Sequence, residues 1–164
     1  MGQLTLLSQS RTFLIAGLCL ALFSAAGAIT SAEDIAVVVH PDVPANNLSF
    51  AEVRNLLLGD RQFWSANLRI TLLMRAPGAR ERDVVLKTIY QMTEAQFRQY
   101  WIAKVFRGDV TAGPRIVYSN EMATELVGVI PGAIAFVEAT QIPKSLKVLK
   151  VDGYLPGEEK YPLR

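Results

Sequence analysis

The sequence predicts a single α/β domain, a three-layer sandwich built on a mixed sheet. Short apolar runs rich in β-branched residues alternate with segments whose apolar residues recur every three or four positions, as in α/β proteins. Two capping boxes mark helix starts between these runs. The last third of the chain is richer in strand-like runs than the rest, which favours a mixed sheet.

The composition is that of an ordinary globular protein. Of 164 residues, 51% are apolar and 20% are charged, so a disordered chain is excluded. The length is that of one domain and excludes a large multidomain enzyme. The net charge of +2 is too small to indicate a nucleic-acid partner.

Residues 1–32 have the pattern of a secretory signal peptide. One charge, Arg11, precedes the apolar run 12–23, and small residues follow it. Cleavage is expected after Ala28 or, preferably, after Ala32, because polar residues come next. The alternative is an uncleaved membrane anchor, although the apolar run is shorter than the ~20 residues of a typical span. A periplasmic or secreted protein is therefore expected.

Residues 33–164 form the predicted domain, and they contain no cysteine. Disulfides, thiol catalysis and cysteine-ligated metals are therefore excluded for this part of the chain. The single histidine, His40, lies beside Pro41 and is interpreted as a loop residue. No nucleophile–base pair, metal-ligand cluster or nucleotide-binding motif is visible, so we expect no catalytic residue, metal or cofactor.

The predicted elements alternate along this domain. The expected strands span 35–39, 69–74, 115–118, 133–137 and 146–151. The expected helices span 49–59, 79–91, 93–108 and 119–129. Capping boxes at Ser49 and Thr93 start the first and third helices, and Phe63 and Trp64 are expected in a turn. The aromatic residues are interpreted as core rather than as a nucleic-acid stacking surface.

One segment has a physical rationale for binding an anion. Arg75 ends a buried strand, and a Pro-Gly turn leads into a helix whose first turn holds Arg80 and Arg82. A helix N-terminus offers free amides and the positive end of its dipole, and open α/β sheets bind ligands at the carboxyl ends of their strands. The alternative is that Arg80 and Arg82 are solvated and Arg75 pairs with a local carboxylate.

The order of several motifs resembles a known family. The motifs are Ile35-Ala-Val-Val-Val-His-Pro41, Phe50 to Gly59 with Trp64, Ile70-Thr-Leu-Leu-Met-Arg75, and Pro131-Gly-Ala-Ile-Ala-Phe-Val-Glu138. Together they resemble the phosphate-type substrate-binding proteins of ABC transporters, within the type 2 periplasmic binding protein superfamily. The resemblance covers about residues 35–138, and it implies a short form with one lobe instead of two.

This resemblance implies binding of a small anion such as phosphate, with a membrane transporter as partner. Arg75 and Gly78 match the family's ligand-binding stretch, and the helix N-terminal amides add Ala79 and Arg80, so the expected ligand-binding residues are Arg75, Gly78, Ala79 and Arg80. Family members carry serine, glycine and threonine after the arginine, whereas this chain has Ala79, Arg80 and Glu81 in that stretch. Because a buried anion needs many donors, these departures from the family pattern predict weak capture at these positions.

A second hypothesis is a non-catalytic interaction module that has lost ligand binding. A lone lobe exposes the face that meets its sister lobe in the family, and such a patch favours a homodimer or a protein partner. We expect this patch around Phe63, Trp64 or Val43-Pro44.

Overall fold

The computed structural model describes residues 34–164, and the predicted signal peptide lies outside them. The strands are β1 (Ile35–Val39), β2 (Asn47–Leu48), β3 (Phe63–Ser65), β4 (Leu68–Arg69), β5 (Thr71–Arg75), β6 (Arg115–Val117), β7 (Ala133–Glu138), β8 (Lys147–Val148) and β9 (Lys150–Val151). The α-helices are α1 (Phe50–Leu57), α2 (Arg80–Val85), α3 (Glu94–Phe106) and α4 (Asn120–Val129). A π-helical turn, Leu86–Tyr90, continues α2, and a 3₁₀ turn, Ala139–Gln141, follows β7.

Five strands form the main sheet, in the order β6-β5-β7-β1-β8. Strand β5 is parallel to both of its neighbours, β6 and β7. Strand β1 is antiparallel to both β7 and β8. The predicted mixed sheet is therefore confirmed, and the carboxyl ends of β5, β6 and β7 meet at one edge.

The sheet lies between two layers of helices. Every residue of β1 is buried, and alternate side chains enter different clusters. Val37 packs in a cluster with residues of α1, α2 and α3, whereas Val38 packs with α4. Because side chains alternate between the faces of a strand, this division shows the predicted three-layer sandwich.

The predicted capping boxes are present. The Ser49 amide donates to the Glu52 carboxylate over 2.8 Å, and the Glu52 amide donates back to the Ser49 hydroxyl over 3.2 Å. Thr93 and Gln96 make the same reciprocal pair at the start of α3. These local signals fix where α1 and α3 begin.

Phe63 and Trp64 correct the expected turn, because they lie in β3. The indole nitrogen of Trp64 donates to the Gly132 carbonyl over 2.9 Å, and this bond fixes the buried ring. Trp64 and Val43 are core residues, so the exposed patch predicted around them is wrong at these two positions. Phe63 and Pro44 are exposed.

Two predicted strands are each divided in two. The segment 69–74 forms the end of β4 and most of β5, with a break at Ile70. The segment 146–151 forms β8, which pairs with β1, and β9, which pairs with β2. The chain changes partners at Leu149, whose amide donates to the Val37 carbonyl over 2.9 Å while Lys150 donates to Asn46 over 3.1 Å.

The helix predicted over 79–91 becomes a π-helical turn after Val85. It ends at Gln91, which has a left-handed backbone with φ of 55°. No helix of residues 34–164 is long and apolar enough to cross a membrane.

Candidate functional site

Arg75 lies at the carboxyl end of β5, at the edge where anion binding is predicted. Its Nε donates to Glu81 Oε1 over 3.3 Å, and its Nη1 donates to the Val117 carbonyl over 3.4 Å. The Arg75 side chain is 12% exposed and the Glu81 side chain 4% exposed. The alternative in which Arg75 pairs with a local carboxylate is therefore the arrangement found, although both contacts are long for hydrogen bonds.

The turn after β5 carries Gly78 and Ala79. Gly78 has φ of +85°, and nothing lies within 4 Å of a Cβ built on it, so this side of the turn is open. Ala79 occupies the N-cap position of α2 and makes no capping hydrogen bond through its side chain. The first amides of a helix have no acceptor within it. The Ala76 and Ala79 amides donate to the carbonyls of Val117 and Ala76 over 2.9 and 3.2 Å, so the backbone donors at this point are those of the first turn of α2, and no hydroxyl group accompanies them.

Arg80 and Arg82 differ sharply in exposure, although both belong to α2. Arg80 is exposed, whereas Arg82 is 2% exposed. Arg82 donates to both carboxylate oxygens of Glu94 over 2.8 Å and to the Arg75 carbonyl over 2.9 Å. Its guanidinium carbon also lies 4.7 Å from the centre of the Phe97 ring. The expectation that Arg82 is solvated is therefore wrong, and Arg82 is a structural anchor.

Other polar groups follow β6 and β7 at the same edge. Asn120 donates to Gln141 over 2.9 Å, and Gln141 donates to Glu138 over 2.8 Å. The pKa of Glu121 is lowered, first by its own backbone amide, then by the Ser119 hydroxyl, with a smaller contribution from the charge of Arg75. Two carboxylates, Glu81 and Glu121, thus lie close enough to Arg75 to oppose its charge at this edge.

The described residues hold no group of three or more His, Cys, Asp or Glu side chains that could bind a metal ion. His40 lies in a loop, where its Nδ1 accepts a hydrogen bond from the Asp42 amide over 3.1 Å. This contact satisfies one ring nitrogen locally.

The architecture is shared with solved phosphate-transport proteins. A substrate-binding protein of a phosphate ABC transporter from Clostridium perfringens, solved with bound phosphate, matches with a TM-score of 0.60 at 18% identity. A phosphate transport receptor from Vibrio cholerae matches at 0.61 and 19%, and PstS from Borrelia burgdorferi at 0.63 and 20%. This chain has the fold of one lobe of such proteins.

The matches cover 75%, 75% and 79% of this chain and 46%, 48% and 53% of the three solved chains, respectively. The chain thus spans about half the length of the structures it matches. No family model matches the sequence. At this identity the similarity shows the fold, and these neighbours are transport proteins rather than enzymes. The function of the present lobe must be argued from its own residues.

Proposed function

We propose that this protein is an exported solute-binding lobe that takes a small anion, such as phosphate, at the carboxyl end of β5 and serves an ABC-type uptake system. Residues 1–32 would be the signal peptide removed on export. The observation that carries the proposal is the Arg75 guanidinium, which lies at this edge and makes long contacts of 3.3 and 3.4 Å with described residues.

The contacts of Arg75 leave it able to turn to a ligand. A guanidinium has five N–H donors, and Arg75 uses two of them, at 3.3 and 3.4 Å. Arg82, in contrast, holds Glu94 with two bonds of 2.8 Å. Charge-assisted bonds between arginine and an anion prefer about 2.7–2.9 Å. An incoming anion therefore replaces weaker contacts than those it forms.

The remaining predicted ligands complete the proposed site. Gly78 leaves open space beside the turn, and Ala79 and Arg80 lie at the start of α2, where the dipole favours negative charge. The Ala79 amide already donates to the Ala76 carbonyl over 3.2 Å, so the first turn of α2 must supply the backbone donors. Glu81 opposes this attraction, because its carboxylate lies 3.3 Å from Arg75 and carries the same sign as the ligand. The proposal is thus one of weak binding, or of binding completed by a partner.

Thermal unfolding of residues 33–164 against an anion panel tests the proposal. The panel contains phosphate, sulfate, arsenate, phosphonates and small carboxylates. An anion at about a hundred times its Kd should add roughly 2.7 kcal/mol of stability, which raises the Tm of a domain this size by several degrees.

Matched variants locate the effect. Arg75→Ala should abolish the shift and leave folding intact, whereas Arg98→Ala, at an exposed position of α3, should keep it. An unchanged shift in Arg75→Ala would contradict the proposed site. Unfolding of Arg75→Ala without ligand would instead indicate a structural role.

The second candidate, an interaction module that pairs with another copy of itself, is favoured by the edge strand β6. This strand pairs only with β5 in the main sheet. Ile116 and Tyr118 are exposed on either side of the buried Val117, and Tyr118 is 75% exposed. Unpaired edges with apolar side chains invite pairing with another chain. A mass that rises with concentration, and does not rise in Tyr118→Ser, supports this candidate; a strict monomer at high concentration contradicts it.

A further inference from the structure

A cleft of about 190 Å³ lies at the opposite end of β5 from Arg75. Its apolar wall includes Trp101 of α3, Val110 and Leu72, and three arginines also line it: Arg61, Arg69 and Arg115. Among residues 34–164, no aspartate or glutamate lines this cleft. The cleft therefore combines an apolar surface with the positive charges of three arginines.

Neutral groups hold two of these arginines in place. Arg61 donates to the carbonyls of Phe63 and Trp64 over 3.0 and 3.2 Å. Arg69 donates to the Thr111 hydroxyl over 2.6 Å. These bonds orient the guanidinium groups and use only some of their five donors. They leave the positive charges uncompensated.

None of the ion pairs within residues 34–164 includes Arg61, Arg69 or Arg115. The pKa of Glu52 is lowered mainly by the Ser49 backbone amide, which donates to the Glu52 carboxylate in the capping box. The charge of Arg61 contributes less to this shift. Clefts lined by charge of one sign concentrate ions of the opposite sign. We propose that this cleft binds a small organic anion, with a carboxylate or phosphate group facing the arginines and an apolar part against Trp101.

The volume and lining define the chemical class of the ligand. Pockets for drug-sized ligands measure roughly 300–1,000 Å³, so a cleft of about 190 Å³ fits a smaller molecule. Arginine pairs equally well with carboxylate and phosphate, and both groups therefore qualify. The apolar wall favours a compound with one flat ring over a bare inorganic ion.

This cleft is separate from the proposed site at Arg75. Strand β5 runs from Thr71, which lines the cleft, to Arg75. Four steps along a strand cover about 13 Å, which separates Arg75 from the part of the cleft near Thr71; Arg115, which pairs with Leu73, lies in the part of the cleft nearer to Arg75. The inference is independent of the proposed function, and the two can fail separately.

Titration of the purified protein with benzoate and with phenyl phosphate tests the inference. Binding is followed by calorimetry and by the NMR signal of the Trp101 indole N–H. We expect saturable binding of at least one probe, movement of the Trp101 signal, and no binding of neutral benzamide. Arg115→Gln should weaken binding by about tenfold or more, because bonds between charged groups are lost.

Two further variants separate charge from space. Gly113→Leu should block the cleft without changing its charge, because a Cβ at Gly113 already lies 3.7 Å from Trp101. Arg98→Gln removes a positive charge from an exposed position that does not line the cleft and should leave binding unchanged. Melting of each variant without probe confirms that it is folded.

Three outcomes overturn the inference. The first is absence of saturation with both anionic probes at millimolar concentration. The second is equal binding of benzamide, which would mean that the arginines do not contribute. The third is loss of binding in Arg75→Ala with retention in Arg115→Gln, which would assign the probes to the other end of β5.

Discussion

The two ends of strand β5 place arginines in opposite electrostatic surroundings. At the carboxyl end, Arg75 faces a buried carboxylate, Glu81, at 3.3 Å. At the amino end, Arg61, Arg69 and Arg115 line one cleft without a carboxylate among them. The edge at which open α/β sheets usually bind ligands is thus the one where the arginine has a counter-charge, and at the opposite end the three arginines form no ion pair within residues 34–164.

The position of an arginine in a fold therefore does not by itself define an anion site. The attraction for a ligand depends on which counter-charge is already present, and a buried carboxylate is one. Arg75 must exchange Glu81 for a ligand, whereas Arg115 has no such partner to lose.

The largest effect is expected from two glycines, one near each end. Gly132 has φ of +75°, and an added Cβ would lie 2.1 Å from the Arg69 carbonyl oxygen. Gly78 has φ of +85° but open space. Both Gly→Ala variants carry left-handed strain of roughly 1–2 kcal/mol, and the clash adds about 1–3 kcal/mol at Gly132. Chemical denaturation should therefore show Gly132→Ala destabilised by about 3 kcal/mol or more and Gly78→Ala by about 1.

Equal losses in the two variants would contradict this reasoning, because only Gly132 touches the strand that carries Arg69. Benzoate titration of Gly132→Ala adds a second readout. Displacement of the Arg69 backbone should weaken binding in the cleft, and Gly78→Ala should leave that binding unchanged.

The next effect concerns Arg82, which anchors the end of β5 through the Arg75 carbonyl. Arg82→Ala leaves Glu94 without its partner and opens space beside Phe97. Breaking a fully buried ion pair costs about 3–5 kcal/mol, and Glu94 is 35% exposed, so we expect a loss nearer 2–3 kcal/mol after screening. Denaturation measures it, with Lys87→Ala, at an exposed position, as a control near zero. A loss in Arg82→Ala no larger than in the control would show that the pair contributes little.

Local signals explain how much of the fold the sequence could predict. The reciprocal bonds at Ser49 and Thr93 join residues three positions apart, and the fully apolar run of β1 indicates a strand buried on both faces. The change of strand partner at Leu149 could not be predicted. Alternation of apolar and polar residues indicates which face of a strand is exposed, but it does not indicate which strand lies beside it. The position of Arg75 at a strand end could be predicted, because it depends only on neighbouring residues: an apolar run before it and a Pro-Gly turn after it.

The remaining features of the two edges depend on contacts distant in the sequence. The sequence around Arg82 indicates a surface position, because its partner Glu94 lies in α3 and comes close only in the folded protein. Arg61 precedes β3 and Arg69 ends β4, so the β3–β4 hairpin brings these two together. Arg115 joins them because β5 and β6 pair in parallel. No spacing rule connects them, so the structure was needed to find this site.

A smaller effect should follow from neutralising Glu81. If this carboxylate competes with the ligand for Arg75, Glu81→Gln should raise phosphate affinity by about tenfold. Calorimetry measures the change, and Glu159→Gln, at an exposed position, makes the same change in net charge as a control. Weaker phosphate binding in Glu81→Gln would show instead that Glu81 takes part in holding the ligand.

The smallest effect we expect is a loss of folding stability at low pH when Glu94, the partner of Arg82, becomes protonated. The hydrogen bond from Arg82 lowers the pKa of Glu94 below its ordinary value of 4.5 in the folded protein. A carboxylate with a lowered pKa stabilises the fold above its unfolded pKa, and this contribution disappears as the pH falls through the folded pKa. Because Glu94 is 35% exposed, we expect less than about 1 kcal/mol.

The comparison with Glu94→Gln isolates this contribution, because Glu52 and Glu121 also have lowered pKa values. The stability difference between the native protein and Glu94→Gln should shrink from about pH 6 to about pH 3, since protonated Glu94 and glutamine are both neutral. A stability difference that stays constant over this range would mean that the stabilisation by Arg82 does not depend on the charge of Glu94. The anchoring of β5 would then rest on the Arg75 carbonyl and the Phe97 ring.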